Sequence, residues 1–540
     1  MQLTFLGGAQ TVTGSRFLLT TERATVLVDC GMFQGSPNES IRNRIPLGFD
    51  PGELDAILIT HAHLDHCGLL PIAAREGYDG PIYLTSATAE LAELVLLDSG
   101  RLHEEFAKRH ARWERRNPDK ARLDDEEDAV AFREALDEAA TAEAETLEHV
   151  PTRVEPEPLS EYDPEADLRA QPPELMIDLD APLYTERDAK AVMPLFRRVR
   201  YDRETEVAPG VWATFVDAGH ILGSAIIRLR IRDHGRDDGP ETEQTIVFSG
   251  DLGRPGTPIL RDPTPVHEAD WVVVESTYGG REHEPPAEAI RILAEVVHEV
   301  AAAEGVLLVP SFAIGRTQEV VWELDRMIDR GAIPLLPLYL DSPMATAATE
   351  IYRRHPEFYD EETSRILARG GTPLDYPRQT ITRRVAESKA IERAKRPYMI
   401  VASNGMLTGG RVVAHLRNLI DDPKATLLFV GYQGQGTLGA HLQAGATTVR
   451  IDGQVRTVRC RVRSISGFSA HADESELLDW IARFGAGKQP GRAGYPRTVF
   501  LVHGDPDAQV VIAPKVEALG FRVHVPRWRE RVELGVRDGP

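Results

Sequence analysis

The chain opens with three short runs of β-branched and large apolar residues, at 2–6, 16–20 and 25–29, separated by turns such as Gly7-Gly8 and Thr13-Gly14. This pattern predicts the hairpins of a β-sheet layer. The unbroken apolar run 56–59 predicts a short buried strand, followed by a helix over 68–75, a strand at 82–85 and a helix from about 87 to 109. The apolar rhythm then lapses. Residues 112–122 are basic and helical in character, 124–148 acidic and Ala-rich, and 151–173 Pro/Glu-rich without a period. That predicts a solvated helical extension followed by a poorly ordered linker. Order returns at Tyr184, with strands at 211–216, 245–250 and 271–275.

From 287 the pattern alternates. Helices over 287–303, 316–329, from 344 and from 410 are interleaved with apolar runs at 305–310, 337–341, 398–402 and 426–430. Such runs between helices predict a mostly parallel sheet covered on both faces. From about Thr457 β character resumes, followed by a helix over 474–484, a strand at 498–502, and a last helix and strand reaching Val525. The fold class is α/β, and 540 residues imply two or three domains.

Composition adds three constraints. Three cysteines, Cys30, Cys67 and Cys460, cannot build a disulfide framework, which fits a reducing cytoplasm. No run is long enough to span a membrane, and the first residues lack the layout of a signal peptide. The net charge of −22 is uneven: residues 124–180 hold 20 Asp or Glu against 3 Arg, a net −17, which leaves −5 for the rest. The acidic total therefore does not exclude a nucleic-acid partner elsewhere on the surface.

Candidate chemistry gathers at strand ends. Thr60-His61-Ala62-His63-Leu64-Asp65-His66 follows the strand 56–59. Packing and solvation have little use for three imidazoles and a carboxylate on one tight loop. Two metal ions do: His61 and His63 can face one, Asp65 and His66 a second. Asp29, ending the run 26–28, either orients that loop or caps a turn. His220 follows the strand 211–216 where a third ligand belongs, and Asp251 enters a Gly-flanked turn where a carboxylate can bridge two cations. Glu275 tips the strand 271–275, His471 precedes a helix, and His503 ends the strand 498–502 and completes the set. Ser403-Asn404-Gly405, between a strand and a helix, offers backbone N–H groups to an anion. Cys67 adjoins the metal loop as a small buried residue rather than a ligand.

In this order the residues resemble the β-CASP branch of the metallo-β-lactamase superfamily, the bacterial and archaeal ribonucleases related to the nuclease subunit of the eukaryotic pre-mRNA 3′-end processing complex. The resemblance rests on Asp29, His61-x-His63-x-Asp65-His66, His220, Asp251, Glu275-Ser276-Thr277-Tyr278-Gly279, Ser469-Ala470-His471 and Leu501-Val502-His503-Gly504, and covers nearly all but about 111–180. It implies an αββα sandwich from 1–281 and 459–540, with a β-CASP domain inserted at 282–458. It also implies two zinc ions, one held by His61, His63 and His220, the other by Asp65, His66 and His503, with Asp251 bridging. A water shared by the two would attack phosphorus, and His471, held by Glu275, would protonate the leaving 3′-oxygen. Asp29 and Asp65 would support the reaction. The implied substrate is single-stranded RNA, its phosphates meeting Ser403-Asn404-Gly405 and nearby Arg or Lys. Alternatives are a DNA nuclease of the same family, a small-molecule hydrolase, and a catalytically weak RNA-processing scaffold. His471 and Glu275 argue against the second, and the complete ligand set against the third. Endo- versus 5′-exonucleolytic action and association into a homodimer stay open.

Overall fold

A computed structural model describes residues 1–35, 37–144, 146–147, 181–234, 241–431, 433–434 and 437–535. Two sheets face each other around the first core. One runs Thr146–Leu147, Glu530–Glu533, Gln2–Gly7, Arg16–Thr20, Thr25–Val28, Ala56–Leu58, Ile82–Thr85, Phe196–Val199. The other runs Val523–His524, Thr498–Val502, Trp271–Glu275, Glu241–Phe248, Ala225–His234, Val211–Asp217, Thr205–Ala208. Period-2 alternation decides which side chains meet. Trp271 and Val273 join Phe5, Phe17, Phe215, Phe248 and Phe500 between the sheets. Val272 and Val274 face outward, onto Leu477 and Ile481 of the helix Glu474–Ala482 and Ile512 of Pro506–Ala518. The other sheet turns Leu27, Ile57 and Ile82 toward Leu91, Val95 and Leu96 of the helix Ser86–Glu114. The layers are thus αββα.

The third sheet runs Gln379–Ile381, Leu338–Asp341, Tyr398–Ala402, Val306–Pro310, Ala425–Phe429, Arg461–Ser464, with every pair parallel, as the apolar runs predicted. Leu307 and Val309 pack under the helices Pro286–Ala302 and Arg316–Asp329, while Val306 and Leu308 pack under Arg411–Leu419. Arg461–Ser464 lies beyond the expected boundary at 458, so the chain leaves this sheet later than its sequence suggested. It is a solvated edge strand that alternates arginine with short residues, and nothing in that pattern tells one sheet from another. The domain clasps the sandwich through Arg354–Glu90 (2.6 Å), and the Leu222 amide donates to the Tyr352 hydroxyl (3.2 Å).

The charged extension needs correction. Pro118–Ala144 is a helix, and its Phe132, Ala135 and Ala139 are buried with Phe33, Ile45 and Trp528. Arg42 pairs with Glu138 at 2.9 Å, and Thr146–Leu147 pairs with the strand Glu530–Glu533. This stretch is docked on the sandwich rather than solvated; residues 148–180 lie outside the described residues. Among the described residues no helix is long and apolar enough to cross a membrane.

Candidate metal centre and its surroundings

Each candidate ligand follows the C-terminal end of a strand. The loop after Ala56–Leu58 folds back on residues 30–32: the Cys30 amide donates to the His66 carbonyl (2.8 Å), Met32 to Leu64 (2.9 Å), and Ser15 to Asp65 (2.8 Å). Gly31 is required there, because a Cβ would stand 1.7 Å from the Asp65 carbonyl oxygen. Asp29, buried and at φ +58°, accepts from the Thr60 amide and hydroxyl (both 2.8 Å) and from His66 Nδ1 (2.7 Å). Its carboxylate therefore fixes His66 with Nε2 facing the cluster.

Three ring nitrogens converge: His63 Nδ1 lies 3.1 Å from His61 Nε2 and 3.2 Å from His220 Nε2. Asp251 stands between two groups of imidazoles. Its Oδ2 is 3.5 Å from His61 and 3.6 Å from His220, and its Oδ1 is 3.2 Å from His66 and 3.6 Å from His503. Asp65 Oδ2 completes the second group, 4.0 Å from His503 Nε2. His61, His63, His220 and Asp251 form one set of converging donor atoms, and Asp65, His66 and His503 another.

The electrostatics suit a cation. Burial holds His61 and His220 well below the usual imidazole range, and takes His63 to about 4 and His503 to about 3, so their lone pairs are free. Burial opposes charge on His66 too, yet Asp251 and Asp29 outweigh it and raise that group. Asp251 is held well below the carboxylate range by His503, His66 and His61, against its burial. Burial pushes Asp65 up to about 6 and the Cys67 thiol well above its usual value, so Cys67 is an inert buried residue. Two facing donor atoms, His66 Nε2 and Asp251 Oδ1, are buried with no hydrogen-bond partner. Orphaned atoms of this kind are costly unless something else satisfies them, and an N/O donor set of this kind fits a divalent transition metal.

His471 flanks the cluster. Its Nδ1 lies 3.1 Å from Glu275 Oε2, and its Nε2 is 4.0 Å from Asp251 Oδ2. Glu275 is fully buried and accepts from the Leu252 amide at 2.6 Å. Burial disfavours the imidazolium, but Glu275 and then Asp251 carry His471 up to about 9; cations in the adjoining sets act in the opposite sense. Ser403, Asn404 and Gly405 sit apart from this cluster, at the C-terminal edge of the inserted sheet. Their partners there are Ser342 (2.9 Å), Thr408 (2.8 Å) and Gln433 (3.2 Å).

Sequence reasoning missed three contributors. Ser15 Oγ bonds His503 Nδ1 (2.8 Å), and the Ala470 carbonyl faces His220 Nδ1 (3.2 Å). Arg316, buried at the start of its helix, pairs with Glu319 and acts on His63 across the domain boundary. A serine after a glycine turn and a main-chain carbonyl carry no sequence signal; Arg316, following Gly315, carries a weak one.

The sandwich, the inserted parallel sheet and the buried histidine–carboxylate cluster define a metal-dependent hydrolase, and the chain belongs to the β-CASP family of the metallo-β-lactamase superfamily. Residues 12–152 match the metallo-beta-lactamase superfamily, 317–442 the Beta-Casp domain, and 456–526 the Zn-dependent metallo-hydrolase RNA specificity domain. The chain is similar to ribonuclease TTHA0252 of Thermus thermophilus, 33% identical over 99% of this chain and 100% of the relative. It is also similar to transcription termination factor FttA of Methanosarcina mazei, 30% identical over 96% of this chain and 69% of the relative. FttA of Thermococcus kodakarensis is likewise 30% identical, over 99% and 71%.

Proposed function

We propose that the chain is a two-zinc ribonuclease that hydrolyses phosphodiester bonds of single-stranded RNA, with His471 as general acid. The reading is carried by the divided carboxylate of Asp251, one oxygen toward each imidazole group, with the His471–Glu275 pair beside it. The name of the Thermus relative supports RNA as the substrate.

His61, His63 and His220 would hold one ion and Asp65, His66 and His503 the other, with Asp251 serving both. Two such ions supply Lewis acidity, making a water nucleophilic and neutralising charge on the phosphate oxygens. The protein's own groups do the rest. Asp29 and Ser15 keep Nε2 of His66 and of His503 turned inward. His471 delivers a proton from Nε2 to the leaving 3′-oxygen, and Glu275 at Nδ1 orients the ring and steadies its charge. The Ser403-Asn404-Gly405 backbone receives a phosphate farther along the strand.

End-labelled single-stranded RNA and DNA of equal sequence test this. RNA should be cleaved, chelation should stop cleavage, and added zinc should restore it. Equal cleavage of DNA would overturn the RNA assignment, and full activity in strong chelator would overturn the metal mechanism.

A further inference from the structure

Phe312 is a large apolar side chain left 36% exposed, and it belongs to none of the apolar clusters. It follows Val306–Pro310, so it lies at the C-terminal edge of the parallel sheet, where crevices between strand ends receive ligands. Its turn is pinned. The Ser311 amide donates to the Ala402 carbonyl (3.0 Å), and the Thr317 amide and hydroxyl both donate to the Phe312 carbonyl (3.2 and 2.7 Å). The ring lies against Gly405, where a Cβ would stand 3.0 Å from its Cδ2 and Cε2.

The same turn ends against the loop that carries His220. A Cβ on Gly315 would stand 3.0 Å from Cγ2 of Ile221, the residue after His220. From Phe312 to Gly315 the backbone spans at most about 10 Å. That span equals roughly three stacked-nucleotide rises of about 3.4 Å, measured from Phe312 to the contact with Ile221. An exposed ring on a rigid turn, beside a loop suited to phosphate, has the makings of a single-strand binding platform.

We propose that Phe312 is a base-stacking platform: a nucleobase of the substrate strand lies on its exposed surface while a neighbouring phosphate meets the Ser403-Asn404-Gly405 backbone. This rests on the ribonuclease reading and adds a grip on the strand that tolerates any base. The zinc-loaded full chain is compared with Phe312→Ala and Phe312→Trp. The probes are an oligoribonucleotide, the same strand with single abasic positions, and methyl 4-nitrophenyl phosphate, a base-free diester too short to reach the ring. Phe312→Ala should bind the oligoribonucleotide roughly 5- to 150-fold more weakly. It should keep its zinc, its melting temperature and its rate on the small diester, and Phe312→Trp should retain binding. One abasic position should weaken the wild type by a similar factor and Phe312→Ala no further. Unchanged binding by Phe312→Ala, an equal loss on the small diester, or fully additive abasic losses would overturn the inference. RNA cleavage by the wild type with a silent Phe312→Ala overturns this inference alone. A wild type that neither binds nor cleaves RNA overturns the ribonuclease reading with it.

Discussion

Replacing His471 with alanine removes the group assigned to the leaving oxygen while sparing both ligand sets. Glu275 holds the ring at Nδ1 (3.1 Å), the buried carboxylate is itself fixed by the Leu252 amide (2.6 Å), and the free Nε2 faces the cluster near Asp251 (4.0 Å). Well-placed proton transfer contributes about 10²–10⁴-fold, or roughly 3–5 kcal/mol of barrier, and that is the expected loss in single-turnover RNA cleavage. Glu275→Gln should lose less, since it weakens only the orientation and charge of the ring. The informative assay varies the leaving group. A 4-nitrophenolate scarcely needs protonation, so the His471→Ala defect should shrink on an activated diester. Asp251, Glu275 and His471 also form a third converging donor set, so zinc content must be measured in parallel. Lost zinc, or equal losses on both substrates, would refute the general-acid assignment.

Three further outcomes are expected. His503→Ala should lower the zinc content from two per chain to one, because His503 belongs only to the set with Asp65 and His66; loss of both or neither contradicts the assignment. Glu323 is 6% exposed, and burial, then Glu319, push its carboxyl up to about 7. Its folded pKa lies above the unfolded value of about 4.5, so its contribution, roughly 3 kcal/mol, is full below pH 4.5 and lost as pH rises through 7. Glu323→Gln should therefore raise the melting temperature at pH 8 far more than at pH 5, and an equal gain at both would sink the argument. Phe132→Ala should destabilise by about 3 kcal/mol in denaturant unfolding, because its ring is buried with Phe33 and Trp528; no effect would return the helix to a solvated arm.

The cluster was legible because its chemistry needs unusual residues in a fixed order, and because each one follows an apolar strand that sequence can find. His220 and Asp251 are ambiguous alone and were placed by their neighbours. The supports were harder to see: Ser15 and the Ala470 carbonyl reach their histidines only through tertiary contact. The strand Ala225–His234 escaped notice although Ile227, Leu229 and Ile231 alternate with Arg228, Arg230 and Arg232. In the acidic helix, charge and alanine dominate the composition, and Phe132, Ala135 and Ala139 recur at helical spacing beneath them. An average over the segment reports solvation, whereas one narrow stripe suffices to dock it.

The Ser15–His503 contact joins positions 488 residues apart, and the strand Gln2–Gly7 pairs with Glu530–Glu533. Synthesis is vectorial, and pairing of this kind cannot form until its distant half exists. A growing chain can shape the loop His61–His66 early and pair its first strand with Arg16–Thr20, yet it lacks His503 and that strand's second neighbour, Glu530–Glu533, until the inserted sheet has been made. The second ligand set is therefore withheld from the nascent chain. A ribosome-bound or prematurely ended product would carry the signature loop while having no complete centre.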